Sequence, residues 1–281
     1  MLGVDLHKAR KLTFAVGKPP VPREHGAWVM LLAPIALGFG AAGDRTWTDW
    51  LLLPAAASCL FCAREAGGLV LRRRATAATA FWLGAYLLFA LALLAPLIRR
   101  GDGVLICIGT LAAGLLAIYS ALRVLPSHKW FDRSRSGELL GVLSLTLTGA
   151  GAAGLALDKL TNLAWLVWAA SAVYFAGGVL HVRMWLGATH YRKDFNRRSA
   201  LAVAWPSLTL HLAMMVAAGS LLLMHWRASP WLLVAIAPAV VRAVGGYLKL
   251  SATLPPMKRV GVTETCLAIW YFAWMIGALR T

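Results

Sequence analysis

The feature that most constrains this chain is a succession of apolar runs, each near 20 residues long, broken by short basic connections. A helix crossing hydrocarbon needs about 20 mostly apolar residues, because in lipid every backbone polar group must be satisfied within the segment. Runs of this kind lie near 26–43, 47–63, 76–98, 103–122, 138–157, 163–182, 200–225, 229–248 and 261–279. They are too long and too evenly apolar for barrel strands, which need only about ten residues and alternate in polarity. The pattern predicts an all-α membrane protein of about nine transmembrane helices. Residues 1–22 read as a basic cytoplasmic or interfacial segment and 23–281 as a single polytopic domain. With 60% hydrophobic and only 14% charged residues, a soluble enzyme, a disordered chain and a disulfide-rich secreted domain are excluded.

Charge gives the orientation. Lys and Arg number 28 against 11 acids, a net of +17. If alternate connections share a side, 22 of the 28 fall with the N-terminus and the 2–3, 4–5, 6–7 and 8–9 connections, and 6 on the other side. Positive charge collects on the cytoplasmic side, so the N-terminus is expected inside and the C-terminus outside. Most of the excess base thus reports topology and attraction to membrane lipid headgroups. These charges hug the membrane, so nucleic acid is not an expected partner. Part of the excess is left for an anionic ligand such as a phosphate or diphosphate.

Ionisable residues at membrane depth are costly and call for a function or a partner. One group opens the first span, Pro22-Arg23-Glu24-His25-Gly26-Ala27-Trp28. Arg23 and Trp28 also suit an interfacial anchor and Glu24 a helix start, but His25 has no such reading. A second group closes the second span: Cys59 and Cys62, then Arg64-Glu65, the pair Gly67-Gly68 and the run Arg72-Arg73-Arg74. The Cys-x-x-Cys spacing reads as two helical neighbours in an apolar span rather than a redox or metal pair. A third group follows the sixth span, with Gly177-Gly178, His181, Arg183, His190, Arg192, Lys193 and Asp194. Its loose likeness to the second group suggests an internal duplication. Glu138 and Glu264 stand near the starts of the fifth and ninth spans, where a carboxylate also suits the helix dipole. His211 lies deep in the seventh span, reading either as a residue bonded to a neighbouring helix or as a haem ligand. The tract Gly149-Ala-Gly151-Ala-Ala-Gly154 reads as close helix packing.

The eleven acids are never closer than five residues apart, so no local carboxylate pair exists to hold a Mg²⁺–diphosphate group on one helix face. No His-Glu-x-x-His zinc motif, phosphate loop or paired Glu-x-x-His set is present.

The segment Pro22-Arg-Glu-His-Gly-Ala-Trp28 before an apolar helix resembles the opening of the YwiC-like family of bacterial membrane proteins. Ala63-Arg64-Glu65 before a basic run, and Ser136-Gly137-Glu138-Leu-Leu-Gly141 after a basic loop, are similar to that family too. The resemblance implies a multi-pass protein of the bacterial cytoplasmic membrane. More distantly, Gly26 to Pro34 and the stretch Tyr119 to Gly141 resemble the UbiA-type intramembrane prenyltransferases, which have nine helices and an active site at the 2–3 and 6–7 loops. That superfamily holds Mg²⁺ and diphosphate with Asp-rich motifs at the ends of helices 2 and 6. Here those positions carry Arg64-Glu65 and His181/Arg183. The resemblance implies a UbiA-like bundle without the metal site.

The reading that follows is a cytoplasm-facing pocket for a prenyl or quinone-like lipid. Arg23, Arg64, Arg183, His190 and Arg192 would bind the ligand, and His25, Glu65, Glu138 and His181 would serve catalysis. Arginine grips phosphate or carboxylate directly, and histidine exchanges protons near neutral pH. Metal-independent transferase or lyase chemistry fits such a set. A non-enzymatic quinone-, lipid- or haem-binding protein of respiration is the alternative, with His181, His190 or His211 as haem ligands. A transporter ranks third, because the ionisable residues cluster at helix ends and not at broken helices near the midplane.

Overall fold

A computed structural model describes residues 17–22, 25–43, 46–71, 76–100, 103–124, 135–191, 195–224, 229–251 and 256–281. Among the described residues the chain forms nine α-helices: α1 (His25–Ala42), α2 (Trp47–Leu71), α3 (Ala77–Arg100), α4 (Val104–Val124), α5 (Arg135–Leu157), α6 (Asn162–Ala188), α7 (Arg197–Leu223), α8 (Ser229–Leu248) and α9 (Met257–Arg280). Six of them, α3 and α5 to α9, contain stretches long and apolar enough to cross a membrane. The apolar stretches of α1 and α4, Gly26–Ala42 and Val104–Tyr119, are shorter. The protein is an all-helical, multi-pass membrane protein.

Every expected span is a helix, but several run further than their apolar cores. Helix α2 continues to Leu71 and α6 to Ala188, while α9 begins at Met257. Arg64, Glu65, Arg183 and Glu264 therefore lie inside helices, not at their ends. Arg242, counted above with the 8–9 connection, lies inside α8. Of the basic N-terminal segment expected over residues 1–22, residues 1–16 lie outside the described residues.

Helix α1 is the hub, packed against α2, α5, α6 and α9. The tightest crossing is α1 on α5, and it depends on small residues. A side chain at Gly38 would run into the Gly149 carbonyl and Ala152, and one at Gly149 would sit 2.9 Å from Pro34. Thr148 Oγ1 donates to the Leu31 carbonyl across the same seam, at 2.8 Å. One apolar cluster joins α1 and α5 to α6, α7, α8 and α9, and a second joins α1 and α5 to α2 and α3. At the end where α2 begins and α3 finishes, buried Asp49 receives Arg100 Nη2 at 2.6 Å and the Thr46 hydroxyl at 2.9 Å.

Candidate functional site

A cavity of about 1380 Å³ opens between these two halves, at the end where the odd-numbered helices begin and the even-numbered ones finish. It is lined from α1, α2, α3, α4, α5, α6 and α9, while α7 and α8 stand behind α6 and α9. Much of its wall is apolar, with Ala27, Met30, Phe61, Val142, Leu145, Phe175 and Val179. Its ionisable lining is Lys18, Arg64, Glu65, Glu138, Arg183 and Glu264. At 1.5 Å per residue, Arg64 stands about 10 Å from the last residue of α2, and Glu264 about 10 Å from the first of α9. Both line the cavity.

Each polar group is placed by a specific neighbour. Trp28 packs edge-on against Phe61 at 5.1 Å between ring centres. The Arg64 guanidinium, one turn further along α2, lies 5.9 Å from the Phe61 ring centre and 5.6 Å from that of Tyr119 on α4. Among the described residues Arg64 forms no ion pair, so its hydrogen-bonding edge stays free for an anion while its faces rest on aromatic rings. Arg183 on α6 donates from Nε to Glu138 Oε2 on α5 at 2.6 Å. Part of the polar N-terminal segment completes the wall. Trp82 Nε1 donates to the Gly17 carbonyl at 2.8 Å, Tyr86 Oη to Pro20 at 3.4 Å and Trp28 Nε1 to Pro22 at 3.2 Å.

His181 is elsewhere. It sits two residues before Arg183, about 200° around the helix, so the two side chains leave α6 on opposite faces. His181 is 5% exposed and packs against Gly246 of α8, where an added Cβ would lie 2.5 Å from its ring. The structure thus brings together Arg64, Glu65, Glu138 and Arg183, and leaves His181 behind the wall. Arg23 and Arg192, and the side chains of His25 and His190, lie outside what the structure describes.

Behind the cavity is a polar network the sequence reading did not assemble. Glu264 on α9 is ion-paired with Arg242 on α8, and Arg242 Nη2 lies 3.3 Å from His211 Nε2 on α7. His211 Nδ1 is 2.7 Å from the Ser207 carbonyl. A carbonyl only accepts and a guanidinium only donates, so the ring proton is on Nδ1 and Nε2 accepts from Arg242. Both ring nitrogens are engaged, so His211 is bonded to a neighbouring helix and has none left for a haem iron. The paired glycines of α6 make the room. A Cβ at Gly177 would fall 3.1 Å from the His211 ring, and one at Gly178 would fall 3.2 Å from Glu264 Oε2. The other pair, Gly67 and Gly68 on α2, has nothing within 4 Å of an added Cβ, so the two pairs do different work. Around the network, Tyr174 Oη, His181 Nδ1, Ser207 Oγ and Arg242 Nε are buried without a hydrogen-bond partner among the described residues. A signal for this set was present in sequence: an Arg and a Glu inside consecutive spans, opposite a glycine pair.

Three segments far apart in the chain therefore meet at one cavity: Gly26-Ala27, Arg64-Glu65 and Gly137-Glu138. All three lie within residues 21–153, which match the family described as YwiC-like protein. Over this stretch the chain is similar to the YwiC-like family. The protein YwiC of Bacillus subtilis (strain 168) is 26% identical over 178 residues, covering 59% of this chain. The chain spans 66% of that relative's length. No solved structure matches it. The YwiC-like stretch supplies Trp28, Arg64, Glu65 and Glu138, whereas Arg183, His211, Arg242 and Glu264 lie beyond it.

Proposed function

We propose that this YwiC-like protein binds an amphipathic lipid of prenyl or quinone-like type, with its anionic head at Arg64 and its tail along the apolar wall. The observation that carries this reading is the position of Arg64 in a cavity of about 1380 Å³. Its guanidinium is seated on two aromatic rings and unneutralised by any described carboxylate. Small-molecule pockets usually measure about 300–1,000 Å³, so the space suits something larger. The cavity end is assigned to the cytoplasmic side of a bacterial inner membrane, because the N-terminus and the 2–3, 4–5, 6–7 and 8–9 connections carry 22 of the 28 basic residues.

Chemistry at this site would be metal-independent, and the bundle UbiA-like. Arg64 and Arg183 would hold the anion, and Glu65 and Glu138 would move protons. His181, which packs against Gly246 of α8, would act only indirectly. The test is to purify the protein in a mild detergent and identify the extracted lipids by mass spectrometry. An isoprenoid or quinone lipid should be enriched over the bulk membrane and depleted in Arg64→Ala. Bulk lipid composition in both proteins would overturn the reading.

A non-enzymatic lipid carrier is the second reading, favoured by the Glu138–Arg183 pair, which neutralises one of the two cavity arginines. Incubating the loaded protein with candidate acceptor lipids separates the two, because a carrier returns its lipid unchanged.

A further inference from the structure

The Glu264 carboxylate has two unlike sides. Oε2 is taken by Arg242 and lies over Gly178, whose missing side chain is what lets it in. Oε1 has no protein partner among the described residues, and the side chain is 25% exposed where it lines the cavity. A carboxylate that is paired on one edge and open on the other is a hydrogen-bond acceptor awaiting a donor.

The pairing also fixes where that acceptor points. Arg242 is held from behind by His211, and His211 by the Ser207 carbonyl. Four helices thus contribute to the placement of one oxygen atom: α6 through its glycines, α7, α8 and α9. Burying an arginine 9% exposed and a histidine 2% exposed in a membrane protein is costly, and surface anchoring does not explain it. The cavity therefore has two ends of opposite demand. Arg64 wants an anion and Glu264 wants a proton donor.

We propose that Glu264 accepts a hydrogen bond from a hydroxyl group of the bound lipid, with Arg242 and His211 as positioning residues. This rests on the lipid-binding reading above and narrows it to hydroxyl-bearing amphiphiles. An isoprenoid alcohol and a prenylated hydroquinone both carry the required donor.

The test is a pair of titrations on the purified full-length protein in detergent. Farnesol and a prenylated hydroquinone are each compared with their methyl ethers, which keep the shape and lose the donor. A hydrogen bond to a charged group should favour the hydroxyl form by about tenfold or more. Whichever compound shows that preference identifies the source of the hydroxyl. Glu264→Leu should bring the ratio to about one. Gly178→Ala, which pushes on Oε2, and His211→Phe should lower the ratio with smaller effects on ether affinity, an outcome that general destabilisation would not give. If Glu264→Leu does not fold, Glu264→Gln and Gly178→Ala carry the test. Equal binding of hydroxyl and ether forms by the wild-type protein would overturn this inference alone. Failure to bind either form would overturn it too, while the lipids that co-purify with the protein decide the lipid reading separately.

Discussion

Arg64 of α2 reaches Tyr119 of α4 across the cavity, with its guanidinium carbon 5.6 Å from the ring centre. Among the described residues α2 and α4 share little other contact, so this pair ties them across the cavity. A cation over an aromatic face contributes about 0.5–2 kcal/mol, depending on exposure.

Arg64→Lys should therefore behave differently from a charge-neutral change. It keeps the charge but loses the planar fork that rests on Phe61 and Tyr119 while gripping an anion. Co-purified lipid should fall between wild type and Arg64→Ala, and thermal unfolding in detergent should show both variants folded. Lipid content in Arg64→Lys equal to wild type would mean that charge alone matters.

Two glycine substitutions should move stability in opposite directions. Gly177→Ala puts a methyl group 3.1 Å from the buried His211 ring and should destabilise by about 1–3 kcal/mol. Gly67→Ala meets nothing within 4 Å and sits inside a helix, so it should stabilise by about 0.5–1 kcal/mol. Thermal or denaturant unfolding of the two variants reads the difference.

The Glu138–Arg183 pair should show measurable but modest coupling. Its side chains are 39% and 21% exposed, and partly exposed pairs of this kind contribute about 0.2–1 kcal/mol. A double-mutant cycle of Glu138→Gln and Arg183→Gln, followed by unfolding, gives the value. Coupling near zero would show that the pair does not tie α5 to α6.

Arg100→Ala provides a control remote from the cavity. Among the described residues it leaves Asp49, 1% exposed, with only the Thr46 hydroxyl. Breaking a buried pair costs about 3–5 kcal/mol, and the 44% exposure of Arg100 should reduce that. Stability should drop while lipid content per folded molecule stays at the wild-type level. A loss of lipid would connect the two ends of the bundle.

Orientation is open to a direct check. A C-terminal reporter active only outside the cytoplasm should give signal, and an N-terminal one should not. The reverse pattern would put the cavity on the outer face.

The helices were legible because hydropathy marks each span almost by itself. Their ends were not, because Arg64, Glu65 and Arg183 look like boundary charges until the cavity that solvates them is seen. His181 and Arg183 could have been separated from helical period alone, since neighbours two apart cannot share a face. Arg242 illustrates the opposite difficulty. It lies close enough to the end of α8 to pass for a loop charge, and only its contacts with Glu264 and His211 identify it as interior. Sequence spacing reports partners one turn away on a helix, whereas this network links residues 22 and 31 positions apart.

The stretch from Gly17 to Pro22 is fastened to the bundle by three hydrogen bonds from indole and phenol groups. On the lipid reading, this makes residence time a separate property from affinity. Each such bond contributes about 1 kcal/mol, so replacing Trp82 and Tyr86 by Phe should hasten release several-fold per bond, with the Arg64 and Glu264 contacts intact. On that reading the protein would hold its cargo against dilution into the membrane through a latch fastened by its own backbone carbonyls.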